Sequence, residues 1–347
     1  MAKAISVSAP IAETDRTLSF EAGKIAQLAD GAVIGRVGDT IILVTATAAR
    51  SVREGTDFFP LTVDIEERAY AAGKIPGSFF RREGKSSDQA ILTCRLMDRP
   101  LRPCFPDGFR NEVHVVGTVL AADLVNPHDV IAINGASAAL SLSGIPFDGP
   151  IGAVRLAFTA DGQWIPHPTY EEGSESQFEI VVAGRALNGN DVAISMVEAG
   201  GTEAQWPSMQ DGAPKVDEAE LARGLEASKQ YILQSIAAQN ELVAKVGSKA
   251  PMPYSVTSDY TPEVLAAMQT KREQILATQV IVDKTARLEA EAALRDQLVA
   301  ELAPQFASID GADKQLKAAF RSVTKAVVRS RIVNEGARID GRGPKDI

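Results

Sequence analysis

The residue types best suited to chemistry in this sequence crowd into one stretch, Gly73 to Arg102, reading GKIPGSFFRREGKSSDQAILTCRLMDRPLR. It holds Lys74, Arg81, Arg82, Lys85, Arg95, Arg99 and Arg102 against Glu83, Asp88 and Asp98. The planar guanidinium fork of arginine matches phosphate oxygens, and the faces of Phe79 and Phe80 offer platforms for unpaired bases at about 1–3 kcal/mol each. Phe79-Phe80 follows Pro76-Gly77-Ser78 and precedes Glu83-Gly84, a context that predicts a loop. Two consecutive bulky aromatics on a tight loop cannot both enter one core, so at least one is expected at the surface. Two readings fit: a grip on single-stranded nucleic acid, or a Phe79 plug in the protein's own core with solvated arginines.

Arg95 and Arg99 lie one helical turn apart, with Leu92 and Leu96 expected to anchor that helix inward and Asp98 able to pair with Arg95 or Arg102. The arginines then either face a ligand or fix the helix end through ion pairs. Lys85-Ser86-Ser87 could hold a phosphate at a helix N-terminus, although ordinary capping explains the serines as well. No Ser-Lys, Cys-His or GxxxxGK[ST] constellation is present, and no carboxylate pair stands out as a metal site. His114, His128 and His167 are scattered, and Cys94 and Cys104 are too few for a disulfide framework, which argues against zinc and for reduced thiols.

The elements that must position this stretch can be read from periodicity. LSFEAG, AVIGRVG and TIILVTATA read as strands, with tight turns expected at Asp30-Gly31 and Gly38-Asp39. Leu61, Val63 and Ile65 alternate with polar residues as a half-buried strand does. Ser86 with Gln89 resembles a capping box opening a helix that Pro100 should end. A strand over Val113 to Ala121, an Ala-rich helix from Asp129 to Ser143, and strands at Ile151 to Phe158, Phe178 to Ala183 and Val192 to Val197 complete an α+β unit with a mostly antiparallel sheet. After Pro214 the composition turns to Ala, Glu, Leu, Lys and Gln, with helix starts marked at Asp217 and at Thr261-Pro262 and breaks at 247–262 and near Gly311. The charges of that helical region read as a solvated face.

The 347 residues carry 36 Lys plus Arg against 45 Asp plus Glu, a net charge of -9, which excludes a protein that coats nucleic acid over its whole surface. No apolar run is long enough for a membrane span and the first residues show no secretory signal, so no membrane partner and a cytoplasmic setting are expected.

The ordered stretches ADGAVIGRVGDTIILVTA, FFPLTVDIEERAYAAGKIPGSFFRREGK, RLMDRPLRP and SGIPFDGPIGAV resemble the first core domain of the bacterial polynucleotide phosphorylase family. The resemblance implies an α+β, RNase PH-like core of βαβ architecture over 1–147 and 148–213, and an all-helical domain over 214–333. It also implies the start of a second such core over 334–347, where ARIDGR is similar to the family's domain-opening motif. It further implies a homotrimeric ring, possible membership of an RNA-degradation complex, and reversible phosphorolysis of single-stranded RNA from its 3′ end with inorganic phosphate and Mg2+ or Mn2+. Phe79, Phe80, Arg81 and Arg82 match the loop that grips RNA, and Arg95, Arg99 and Arg102 match an arginine segment near the phosphorolytic site. The family's phosphate-binding serines and metal-binding aspartates belong to the second core, so catalytic residues and metal ligands are expected outside this sequence, as part of a longer chain. Two other functions stay open at this point: a noncatalytic RNA-binding or trimerising module, and guanosine pentaphosphate synthesis.

Overall fold

The computed structural model describes residues 4–11, 14–53, 56–77, 79–188, 191–256 and 258–347. It divides into two compact units, residues 1–256 and 257–347.

The first unit contains two sheets around a central helix. Strands β1 (Ile5–Pro10), β2 (Thr17–Ala22), β3 (Gly31–Val37), β4 (Thr40–Ala48), β5 (Leu61–Glu67) and β6 (Val113–Ala121) form a sheet of order β1-β2-β3-β4-β6-β5. All its pairings are antiparallel except β5 with β6, which are parallel and joined through helix α1 (Asp88–Leu101), a βαβ unit. Gly38-Asp39 makes the expected two-residue turn, with Val37 opposite Thr40 and Gly38 in the left-handed region at φ 58°. Asp30-Gly31 does not: residues 23–30 form a longer connection, and the Asp30 carboxylate accepts from the Ala48 N–H at 2.9 Å and pairs with Arg50.

Helix α2 (Asp129–Ser143) has the bounds its alanine run predicts and ends at Gly144 in the left-handed conformation. It is buried almost all round, as a helix apolar on every face must be. Its approach to the first sheet is close enough that a Cβ on Gly31 would stand 1.9 Å from the Ala139 carbonyl oxygen. On its other side lies the second sheet, built from β7 (Ile151–Phe158), β8 (Trp164–Pro166), β9 (Phe178–Ala186) and β10 (Val192–Gly201) in the order β10-β9-β7-β8. Fully buried Asn134 fastens α2 to β7 by donating to the Ala153 carbonyl at 2.9 Å and accepting its N–H at 2.8 Å. Both hydrogen bonds are needed to offset burying an amide. Short helices α3 (Tyr170–Glu175) and α4 (Gln205–Gln210) complete the connections.

Helix α5 (Glu218–Val246) starts at Asp217, whose side chain accepts from the Glu220 N–H as expected. Its buried residues, Ile232, Ile236, Ala238 and Leu242 among them, pack on β1, β2, β7, β9 and α2. The helical region expected from 214 onward is therefore divided by packing at 256/257, because the inward face of α5 completes the core of the first unit.

The second unit contains α6 (Pro262–Gln269), α7 (Arg272–Gln279), α8 (Lys284–Leu302) and α9 (Ala312–Glu335) around Val264, Met268, Ile275, Leu298, Leu316 and Phe320. Residues 336–347 form turns packed in this unit. Within ARIDGR, Asp340 pairs with Arg342 at 2.7 Å, and buried Arg287 donates to the Ile339 carbonyl at 3.2 Å. Among the described residues no helix is long and apolar enough to cross a membrane.

Candidate functional site

The loop after β5 leaves its sheet through Gly73, at φ 66°, and is closed at its base by Glu83. That carboxylate accepts the Ala69 N–H at 2.5 Å and pairs with Arg68 at 2.9 Å, two bonds that hold its pKa below the ordinary glutamate value. Beyond this clasp Phe79 is 94% exposed and Phe80 78%, their rings edge to face at 5.4 Å. Both aromatics face solvent, so Phe79 does not plug the core. Arg81 adopts the left-handed conformation at φ 52°, and Arg81 and Arg82 are exposed. Ser78, within the same loop, lies outside the described residues.

Ser87, rather than Ser86, caps α1: its Oγ accepts the Ala90 N–H at 2.9 Å and donates to Glu67 at 2.6 Å. The expected Ser86–Gln89 box is not formed, and the helix begins one residue later. Pro100 sits inside the last turn without ending the helix at 99. The buried face is Ala90, Thr93, Met97 and Leu101. Leu96 is only half-buried and Leu92 is exposed, so the inward anchor differs from the one expected. The reason is phase: the residue types of Leu92 and Leu96 suit either face, and the packing against β5 selects the stripe that includes Met97.

This phase turns Leu92, Arg95 and Arg99 toward a cleft of about 1090 Å3 between α1 and strands β9 and β10. The three arginines differ in what they touch. Arg102 is tied to Asp98 at 2.6 and 2.9 Å, donates to the Phe59 and Leu61 carbonyls at 3.3 and 3.1 Å, and lies 5.9 Å from the Phe59 ring centroid. Arg99 reaches across to Glu198 on β10 at 2.5 Å, an exposed pair. Arg95 has no ion-pair or hydrogen-bond partner among the described residues and stands open to the cleft. Arg102 therefore braces the fold, whereas Arg95 and Arg99 can meet an anion. An exposed bridge such as Arg99–Glu198 contributes about 0–1 kcal/mol and is readily exchanged for another partner.

The inner end of the cleft holds a cluster that periodicity alone does not single out. Arg155 on β7 bonds both Asp129, at the first turn of α2, and Glu179 on β9, the latter at 3.0 Å. Burial alone pushes the Asp129 carboxyl up, but the charge and hydrogen bonds of Arg155 and the Val130 N–H outweigh it and the net shift is downward. Burial likewise lowers Arg155, yet Asp129 and Glu179 raise it further. A smaller cavity of about 440 Å3, lined by His128, Tyr170 and Ser174, shares this trio. The signal in the sequence was a single arginine within the otherwise apolar IGAVRLAF, since an unpaired guanidinium is almost never buried.

Cys94 and Cys104 are free thiols, and burial pushes the pKa of each up, away from nucleophilic use. His114 and His128 face Asp64 and Glu67 at 2.8 and 3.0 Å. Among the described residues no group of three or more His, Cys, Asp or Glu side chains could hold a metal ion.

Comparison with known proteins matches residues 14–146 to a family described as the 3′ exoribonuclease family, domain 1. Residues 263–343 match one described as polyribonucleotide nucleotidyltransferase, RNA binding domain. The polyribonucleotide nucleotidyltransferase of Salinispora tropica is 50% identical over 333 residues, which is 96% of this chain and 42% of that protein. Those of Acidothermus cellulolyticus and Thermobifida fusca are 49% and 48% identical over 96% of this chain, covering 42% and 43% of their own lengths. The chain thus spans less than half the length of the curated relatives it matches.

Proposed function

We propose, on the premise that this chain belongs to the polyribonucleotide nucleotidyltransferase family, that the protein carrying it shortens single-stranded RNA from the 3′ end by phosphorolysis. In that reaction an oxygen of inorganic phosphate forms a bond to the phosphorus of the terminal nucleotide. The bond to the 3′ oxygen of the preceding nucleotide breaks, and the terminal unit leaves as a nucleoside diphosphate. An anion must approach an anion, so positive charge held in place before the reaction lowers the barrier most. The role proposed for this chain is to hold and align the strand. Phe79 and Phe80 stack on bases, Arg81 and Arg82 meet the backbone, and Arg95 and Arg99 offset phosphate charge at the cleft, with Arg102 fixing the end of the helix that presents them.

The observation that carries this reading is the pair of neighbouring phenylalanine rings, both outside the core, on a loop clasped at its base by Glu83. A ring left in water serves no packing purpose and is suited to a base. The divalent cation that such a reaction uses has no ligand set among the described residues, and its ligands, like the catalytic residues, are proposed to lie outside this chain. A homotrimeric ring, association with an RNA-degradation complex and a cytoplasmic setting belong to the same proposal.

The test has two arms. The 347-residue chain should bind a single-stranded oligoribonucleotide in preference to a blunt duplex. The longer protein containing it, given phosphate, Mg2+ and that RNA, should release nucleoside diphosphates in proportion to phosphate consumed. No diphosphate release from a folded, RNA-binding protein would refute phosphorolysis and leave a binding module.

A further inference from the structure

Glu66, Glu67 and Arg68, consecutive and all charged, stand where β5 gives way to the loop that carries Phe79 and Phe80. Arg68 ties that loop to itself, pairing with Glu66 at 2.7 Å and with Glu83 at 2.9 Å. Glu67 acts differently, because its two carboxylate oxygens reach separate elements. Oε2 accepts the Ser87 hydroxyl at 2.6 Å, where the loop returns into α1. Oε1 stands 3.0 Å from Nε2 of His128, the residue before α2, whose side chain is only 11% exposed. One side chain at the start of the loop thus fixes the loop's end and joins both to the central helix. Capping α1 does not require this, since Ser87 already accepts the Ala90 N–H at 2.9 Å and could turn its own proton to water. Residues 69–86 also form a connection far longer than the usual span of about 2–6 residues between strand and helix, and connections of that length are commonly functional.

We infer that Glu67 is a positioning residue for RNA, one that touches no substrate but holds the aromatic loop in register with the arginines of α1. Arg95 and Arg99 lie about 12 and 18 Å beyond Ser87 along that helix, at a rise of about 1.5 Å per residue. With Ser87 fastened to Glu67, the rings and the guanidinium groups share one frame, and a strand meets a grip that it does not have to order at its own cost. The inference rests on the reading of Phe79 and Phe80 as the RNA grip.

The 347-residue chain, E67A, F79A/F80A and the triple variant E67A/F79A/F80A are titrated with a labelled oligouridylate and, separately, digested with trypsin. Loss of the order that one charge-assisted hydrogen bond supplies should weaken RNA binding roughly tenfold when Phe79 and Phe80 are present. In the F79A/F80A background the same substitution should change affinity by less than about twofold, because no grip is left to align. A side chain that only stabilised the fold would show no such coupling. Trypsin reads the loop without RNA: cleavage at Arg81, Arg82 or Lys85 should quicken about tenfold in E67A, while cleavage at exposed Lys215, before α5, keeps its wild-type rate. Ser87→Ala removes the same bond from the loop's side and should reproduce both results, which keeps the test decisive if E67A does not fold. Equal weakening in both backgrounds, or equal quickening at the loop and at Lys215, assigns Glu67 to general stability and overturns the inference. Unchanged binding by folded E67A overturns it too, while wild-type binding leaves the RNA reading intact. A wild-type chain that does not bind the oligonucleotide removes that reading and the inference built on it, even where the trypsin rates show that Glu67 fixes the loop.

Discussion

Replacing Arg155 by methionine isolates the electrostatic work done at the inner end of the cleft. Methionine keeps most of the stem volume of the side chain but leaves Asp129, 6% exposed, and Glu179, 27% exposed, without their shared cation. Breaking a buried pair from one side costs about 3–5 kcal/mol, because the remaining charge is stranded in a poor solvent. For a unit of this size that lowers the thermal midpoint by roughly 6–20 °C, at about 2–4 °C per kcal/mol. The pH dependence follows from Asp129. In the native protein its pKa is depressed, so the stability it contributes is present above the unfolded value near 3.8 and is lost only as pH falls through the lower folded value. Without Arg155, burial dominates and the same carboxyl moves up, so the damage is greatest at neutral pH and shrinks as the solution is acidified toward pH 4. Urea unfolding followed by tryptophan fluorescence is the assay, since Trp164 and Trp206 are the protein's two tryptophans and both lie within residues 1–256. Adding Asp129→Asn to Arg155→Met should restore about 1–3 kcal/mol through the coupling of the pair. A loss below about 1 kcal/mol at pH 7, or a loss of equal size at pH 7 and pH 4, would show that the trio is solvated and that the argument is wrong.

Three further outcomes are expected. Phe79→Ala with Phe80→Ala should weaken single-stranded RNA binding by about 1–3 kcal/mol for each base that loses its platform, roughly 5- to 160-fold. The melting temperature should not move, since both rings are solvent-exposed; fluorescence anisotropy and calorimetry separate the two effects. Gly31→Ala puts a methyl 1.9 Å from the Ala139 carbonyl and should cost at least about 3 kcal/mol, the upper end for overpacking, read from the urea midpoint. Asp123 binds the hairpin turn to its neighbour by accepting from the Asp39, Val125 and Asn126 N–H groups at 3.0, 2.8 and 2.8 Å. Burial pushes its carboxyl up, but these bonds and those from the Asn126 and Thr40 side chains pull it further down. Asp123→Ala should cost about 1–3 kcal/mol at pH 7. The gap from wild type should then close in urea titrations as pH falls below the unfolded value near 3.8, because only the charged form makes these bonds.

What could be read from the sequence is what depends on neighbours along the chain. Helix α2, strand β7 and the Gly38-Asp39 turn are set by alanine periodicity, a continuous apolar run and a two-residue turn, and each lies where those signals place it. Asp30-Gly31 misled because Gly31 is small for a non-local reason, the passage of the Ala139 carbonyl, rather than to make a turn. The change at 214 marks where helices begin, but composition separates helix from sheet and does not say which helix covers the sheet, as α5 does. Of the site, crowding implied that at least one loop aromatic is exposed but not that both are, while the division of labour among Arg95, Arg99 and Arg102 depended on Glu198 and on the Phe59 and Leu61 carbonyls, nearly one hundred and about forty residues away. The Asp129–Arg155–Glu179 trio draws one member from each of three elements, and no local pattern brings them together.

The placement of α5 also bears on the order in which a ribosome releases the chain. Strands β1 and β2 emerge first and β7 and β9 later, yet the helix that covers them, and whose Gln239 donates to the Ile151 carbonyl at 2.9 Å, is synthesised only after residue 217. Until then those apolar surfaces have no lid of their own. A nascent chain paused between β10 and α5 would be sticky, and a factor that shields hydrophobic patches would find its best substrate in that interval.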